Sequence, residues 1–157
     1  MERRALDLAR DYAALLAMQR LSWEINFPGT FFSESAFRRS LEAGARYDTI
    51  LVYEQDGELI AWLWLDLFAA HKNGHIRHIQ VQQSHWGQGI ARRLLADAVE
   101  LCQEQGCRTL TLNVTKTNRR AMALYEHTGF VVVEDNGDRQ RMVLVLSEAS
   151  GTPNAAQ

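Results

Sequence analysis

Apolar and polar positions alternate along the chain with two rhythms, and the change between them divides it into elements. Leu15, Leu16, Met18, Leu21 and Ile25 recur at helical spacing. Asp11 is the expected cap of this helix, a short strand over residues 5–8 precedes it, and Asn26-Phe27-Pro28-Gly29 stops it. Ser33, followed by Ala36, Phe37, Leu41 and a terminal Gly44, predicts a second helix with a serine cap. A loop-bound hydrophobic cluster is the alternative there. Residues 49–54 and 58–68 then flank Asp56-Gly57, a strong hairpin signal. The polar turn His71-Lys72-Asn73-Gly74 leads into a third strand, 75–81, so the middle of the chain reads as an antiparallel meander. Helical spacing returns with Ile90, Ala91, Leu94, Leu95, Ala98, Val99, Leu101 and Cys102, and Gly106 supplies the stop. A strand over 109–114, a helix over 118–128 and a hairpin of 130–134 with 141–146 complete the pattern. The segment from 75 to 114 has the length of a strand–helix–strand crossover, which makes its two strands parallel. The sum is a mixed α/β fold with a mostly antiparallel central sheet flanked by helices.

At 157 residues the chain is one domain long, with no internal repeat. We expect a single domain over 1–147 and a disordered tail over 148–157, where small and polar residues lack periodicity. Seventeen Lys and Arg against nineteen Asp and Glu leave a formal charge of −2, which argues against a nucleic-acid binder. Cys102 and Cys107 form neither a disulfide framework nor a zinc pattern, and no His/Cys/carboxylate cluster offers a metal site. The longest apolar stretch, 59–70, is broken by Asp66 and too short for a bilayer, and no signal-peptide core opens the chain. These features place the protein in a reducing cytoplasm, away from membranes.

The informative segment is Val81-Gln82-Gln83-Ser84-His85-Trp86-Gly87-Gln88-Gly89-Ile90-Ala91, a strand end, a loop with two glycines and a helix start. Backbone N–H groups of such a loop, with the helix N-terminus behind them, can cradle a phosphate. A merely tight strand-to-helix turn is the plainer reading. A nucleotide P-loop would end in Gly-Lys-Ser/Thr, where Ile90-Ala91 stand, and a dinucleotide fingerprint needs a small residue in place of Arg92.

Trp86-Gly87-Gln88-Gly89-Ile90-Ala91 resembles the acyl-CoA loop of the GCN5-related N-acetyltransferase (GNAT) family, Gln/Arg-x-x-Gly-x-Gly/Ala, with Trp86 in place of the first Arg or Gln. Asn118, Ala121, Tyr125 and Gly129-Phe130 follow at the family's spacing. The resemblance covers residues 58–146 and implies a splayed pair of parallel strands with acetyl-CoA in the wedge. Val81 would hydrogen-bond the pantetheine arm through its backbone. The loop positions Trp86, Gly87, Gln88, Gly89, Ile90 and Ala91 would meet the pyrophosphate, mainly through main-chain amides, and Asn118 would reach the cofactor from across the wedge. Arg92 and Arg93 either meet further phosphate charge or are solvated helix-face charges.

Tyr125, two turns after Asn118, would protonate the departing thiolate; its alternative is a core aromatic. Asn118 also reads as a helix N-cap, a compatible role. Strand alternation puts His75, Arg77, Ile79 and Val81 on one face and Ile76, His78 and Gln80 on the other. His75 stands where family members often place a base, and its alternative is a surface histidine; His78 and Glu24 are weaker candidates. Trp23, Phe27, Phe31, Phe32, Trp62 and Trp64 read as core before pocket. The implied activity is direct acetyl transfer from acetyl-CoA to the amine of a small molecule or peptide in a ternary complex. Its rivals are a non-catalytic acyl-CoA sensor and a protein-interaction module. Homodimers are common in the family, and nothing in the sequence shows an interface.

Overall fold

The computed structural model describes residues 1–147; the expected tail over 148–157 lies outside them. Seven strands form one sheet in the order β1-β2-β3-β4-β5-β7-β6. They are β1 (Glu2–Ala5), β2 (Thr49–Gln55), β3 (Glu58–Phe68), β4 (Asn73–Val81), β5 (Thr109–Thr115), β6 (Val131–Asn136) and β7 (Arg139–Val145). The helices are α1 (Leu8–Asn26), α2 (Glu34–Tyr47), α3 (Ile90–Glu104) and α4 (Arg119–Thr128). Every neighbouring pair is antiparallel except β4 and β5, which run parallel. The expected mixed sheet is therefore the observed one.

β3 lies inside the sheet between β2 and β4, and Ile60 through Leu65 are all fully buried because helices cover both faces. Trp62 and Trp64 point toward α1 and α2, where they pack with Leu15, Phe37 and Leu41. Leu63 and Leu65 point toward α3, where they meet Leu94, Leu95 and Ala98. The β2–β3 hairpin turns on Asp56 and Gly57, both left-handed (φ 53° and 78°), as a two-residue type I′ turn demands.

Four local expectations are corrected. The first strand is Glu2–Ala5 rather than 5–8, and Asp7 caps α1 in place of Asp11. Asp11 is instead buried in the first turn, where Arg4 grips both its oxygens at 2.8 Å; that fork aligns the strand against the helix. Gly44 does not end α2, which runs on to Tyr47. A Cβ at Gly44 would collide with the Trp64 ring, so this glycine is there for close helix-to-sheet packing. Finally, Trp64 pairs with His78 but Leu65 pairs with Ile76, which leaves Arg77 as a bulge. A one-residue bulge reverses the phase of alternation. His75, opposite Asp66 and Thr111, thus shares the α1/α2 face with His78 and Gln80, while Ile76, Ile79 and Val81 join the core beneath α3. The single-face grouping of His75 with Ile79 and Val81 does not hold.

The parallel ladder of β4 and β5 is short. It pairs Asn73–Ile76 with Thr109–Leu112 and stops, although β4 continues to Val81 and β5 to Thr115. Beyond Ile76 the strands splay and open a wedge between them.

Candidate active site

α3 begins at this wedge and differs from the other helices. Asp7, Ser33 and Asn118 each accept a backbone N–H at the start of α1, α2 and α4. The cap of α3 is Gly89, left-handed at φ 78°, and no side chain closes its first turn. Its leading N–H groups are left for another acceptor, at the positive end of the helix dipole. Gly87 is also left-handed (φ 80°), and neither glycine has a neighbour within 4 Å of an added Cβ. Backbone conformation, rather than crowding, requires glycine at both positions.

Trp86, the departure from the family's loop pattern, donates its indole N–H to the Val81 carbonyl at 2.7 Å. That bond ties the loop to the strand it leaves. The Arg120 guanidinium, from α4 across the wedge, lies 4.7 Å over the same indole.

These elements enclose a cleft of about 340 Å³. Of the expected cofactor-binding residues, Val81, Trp86, Gly87, Gly89, Ile90, Ala91, Arg92 and Asn118 all line it, and Gln88 does not. Asn118 is bound on both sides. Its Oδ1 accepts the Ala121 N–H as the α4 cap, and its Nδ2 donates to Asn26 Oδ1 at 3.0 Å. Asn26 in turn donates to the Ser22 carbonyl and hydroxyl, so a polar chain joins α4 to the end of α1.

A second cavity of about 130 Å³ adjoins the cleft between the splayed strands. Ser22, Asn26, Ile79, Gln80 and Tyr125 line both, which marks the place where they meet. Tyr125 packs edge-on against Phe130 at 5.9 Å, and among the described residues its hydroxyl has no hydrogen-bond partner. Burial pushes its pKa up to about 12, so the phenol keeps its proton throughout the neutral range. Gln80 is fixed by two bonds, accepting from Trp62 Nε1 at 2.7 Å and donating to Gln19 at 2.6 Å.

His75 lines neither cavity. Its Nδ1 sits 2.8 Å from Thr111 Oγ1, whose own hydroxyl donates to the Gly74 carbonyl. Burial first, then Arg141, Arg77 and Arg139, lower its pKa. His78 does line the smaller cavity, its ring stacked beside Trp62 at 5.0 Å and Trp64 at 5.3 Å. Burial, with Arg77 and Arg139, takes its pKa down to about 3, leaving little basicity. Glu24 is exposed and lines neither cavity. Cys102 and Cys107 are buried free thiols away from both cavities, and burial pushes Cys102 up to about 12.

Ser22, Asn26, Gln80 and Arg139 were not singled out from sequence. Ser22 and Asn26 carried one readable signal, two small polar residues four apart beside the apolar stripe of α1. Among the described residues no cluster of three or more His, Cys, Asp and Glu side chains could hold a metal, and no helix is long and apolar enough to cross a membrane.

Comparison with known proteins agrees with this geometry. N-alpha-acetyltransferase 30 of Saccharomyces cerevisiae is 30% identical over 93 residues, 52% of this chain and 53% of that protein. The first three curated relatives are matched over 26% to 66% of their own lengths, so this chain spans less than two thirds of each. Among solved structures, ribosomal-protein-alanine N-acetyltransferase of Brucella melitensis superposes with a TM-score of 0.75 at 21% identity, covering 93% of this chain and all of that one. A phosphinothricin acetyltransferase of Sinorhizobium meliloti, solved with acetyl-CoA, gives 0.76 at 19% identity over 96% of this chain and 91% of that one. The profile of the acetyltransferase (GNAT) family matches residues 12–130, and the chain belongs to that family.

Proposed function

We propose that this chain transfers an acetyl group from acetyl-CoA, the family's cosubstrate, to a primary amine in a ternary complex. The observation that carries the reading is the junction of two cavities at Tyr125, with the start of α3, which no side chain caps, at the mouth of the larger. The amides from Gly87 to Ala91 and the start of α3 suit a pyrophosphate, with Arg92 and Arg120 adding charge beside them. Val81 and Asn118 flank the arm of the cofactor; the Val81 carbonyl is already held by Trp86, and Asn118 acts through its place in the wall. The amine nitrogen attacks the thioester carbonyl, the carbon–sulfur bond breaks, the Tyr125 hydroxyl delivers its proton to the leaving sulfur, and the proton released by the nitrogen returns to the phenolate through water.

The attacking amine must be neutral. His75 stands outside both cavities and no carboxylate lines the smaller one. In this reading His75 positions Thr111 and β4, and the proton leaves through water. The arginines whose charge adds to burial in lowering His75 and His78 also favour the free-base form of an incoming amine.

Calorimetric titration with acetyl-CoA, with ATP and NAD as controls, tests the reading. Selective binding is expected, weakened about 10-fold or more in Gly89→Val, because a β-branched residue at φ 78° distorts the loop. A folded protein that binds no acetyl-CoA overturns the reading, and binding without thiol release on any amine favours the acyl-CoA sensor.

A further inference from the structure

The smaller cavity carries a charge pattern that bears on its occupant. Two arginines and a histidine line it, and no Asp or Glu does. The arginines differ. Arg77, on the bulge, is turned toward α2: its guanidinium lies 4.3 Å over Trp64, 3.3 Å from Ser40 Oγ and 4.0 Å from the Asp48 carboxylate. Arg139 makes no ion pair among the described residues, and its nearest aromatic partner is Phe27 at 5.7 Å. Arg141 follows two residues on along β7, on the same face and also without an ion pair among the described residues. Of the acids around it, Asp135 is held by Lys116 at 2.7 Å, Asp48 lies 4.0 Å from Arg77, Asp66 stands opposite His75, and Glu134, opposite Arg141 in the β6–β7 ladder, and Asp138, next to Arg139, make no ion pair with either arginine among the described residues. Both histidines on this face feel the same positive field, since Arg77 and Arg139 lower each of them.

Size narrows the occupant as well. At about 130 Å³ the cavity is well below the roughly 300–1,000 Å³ of sites for drug-sized ligands. One end of it is the junction with the cofactor cleft at Tyr125, and Arg139 lines only the smaller cavity. An amine at the junction therefore has a cation at the other part of its site and no carboxylate to receive a second positive charge. A cationic polyamine or aminoglycoside is opposed by this arrangement, and an oxyanion is attracted.

We propose that the acceptor is a small amine that also carries an oxyanion, a carboxylate or a phosphate, and that Arg139, with Arg141 behind it, binds that anion and sets the choice of substrate. The proposal rests on the acetyl-transfer reading above, and it adds a residue whose role is specificity rather than chemistry. Arginine suits the task because its planar fork meets both oxygens of a carboxylate or phosphate at once.

The test is a thiol-release assay on acetyl-CoA with matched amines: free amino acids, their amides, the decarboxylated amines, and aminoalkyl phosphates. Acid-bearing amines are expected to exceed their amides and decarboxylated counterparts by about 10- to 100-fold in kcat/KM, with carboxylate and phosphate arms separating the two oxyanions. Arg139→Gln is expected to erase that preference mainly through KM, while calorimetric affinity for acetyl-CoA stays unchanged. Arg139→Lys should restore part of it, and Arg139→Glu should turn the preference toward diamines. Equal or faster turnover of amides, polyamines or peptide amides overturns the proposal, as does failure to acetylate any acid-bearing amine by protein that acetylates another amine. Failure to bind acetyl-CoA at all overturns the acetyl-transfer reading instead, so the two failures are distinguishable.

Discussion

The larger cleft is bordered by one continuous segment, residues 85–92 apart from Gln88, that ends in the start of α3, whereas the smaller cavity is walled by side chains from α1, β4, β5, α4 and β7. The first is a local structure: two left-handed glycines and an uncapped helix start, determined within a few residues. The second exists only because the β4–β5 ladder stops at Ile76 and Leu112 and α1 crosses the gap. Main-chain donors serve any member of a family that uses one cofactor, because they do not depend on side-chain identity. Side chains gathered from distant elements can change one at a time, and acceptor choice can change with them.

Four perturbations probe that contrast. The largest effect is expected at the junction. Tyr125→Phe keeps the ring against Phe130 and removes only the hydroxyl, so kcat should fall about 100-fold or more while calorimetric affinity for acetyl-CoA is unchanged. An unchanged kcat would remove Tyr125 from the chemistry.

Next is the wall of the acceptor side. An Ala side chain at Gly44 must displace Trp64, which stacks on His78, so Gly44→Ala should cost about 2–3 kcal/mol in urea unfolding. Acetyl-CoA affinity of the folded fraction should stay within about 2-fold, since α2 does not line the cofactor cleft. A large loss of that affinity would show that the two cavities are not independent.

Acid should act on the same wall. His78 has a folded pKa near 3 against an ordinary value of 6.5. The unfolded chain therefore takes up the proton first as pH falls, and the contribution of neutral His78 to stability is complete above about pH 6.5 and lost progressively below it. The slope is at most about 1.4 kcal/mol per pH unit. Unfolding midpoints measured at pH 7.5 and 5 should differ by about 2 kcal/mol from this group, with His75 acting in the same direction, and His78→Gln should flatten the acid limb. An unchanged limb in that variant would show that His78 is not held neutral by the fold.

The smallest effect is expected at the loop. Trp86→Phe removes the 2.7 Å bond to the Val81 carbonyl and weakens the contact with Arg120. Affinity for acetyl-CoA should fall about 5-fold, near 1 kcal/mol, with acceptor preference unmoved. A changed acceptor preference would mean that this tie shapes both cavities.

Local signals in the sequence carried far. Asp56-Gly57 between apolar runs specified a hairpin because only such residues accept two consecutive left-handed conformations. Ser33 and Asn118 read as caps and are caps. Asp11 misled because its carboxylate serves an arginine seven residues upstream, and a bond between two elements has no local signature. Gly44 looked like a helix stop because the ring it makes room for, Trp64, lies 20 residues later.

The sequence by itself determined the order of elements, the parallel crossover and the glycine loop, because each depends on spacing and backbone preference within one segment. The tertiary structure decided the rest. A bulge at Arg77 changed the face His75 occupies, and the early end of a four-residue ladder opened the smaller cavity. Strand packing then left Arg139 at the wall of that cavity with no ion pair among the described residues. Bulge position, ladder length and the pairing of distant charges are settled by which segments meet, and that is a property of the assembled chain rather than of any stretch of it.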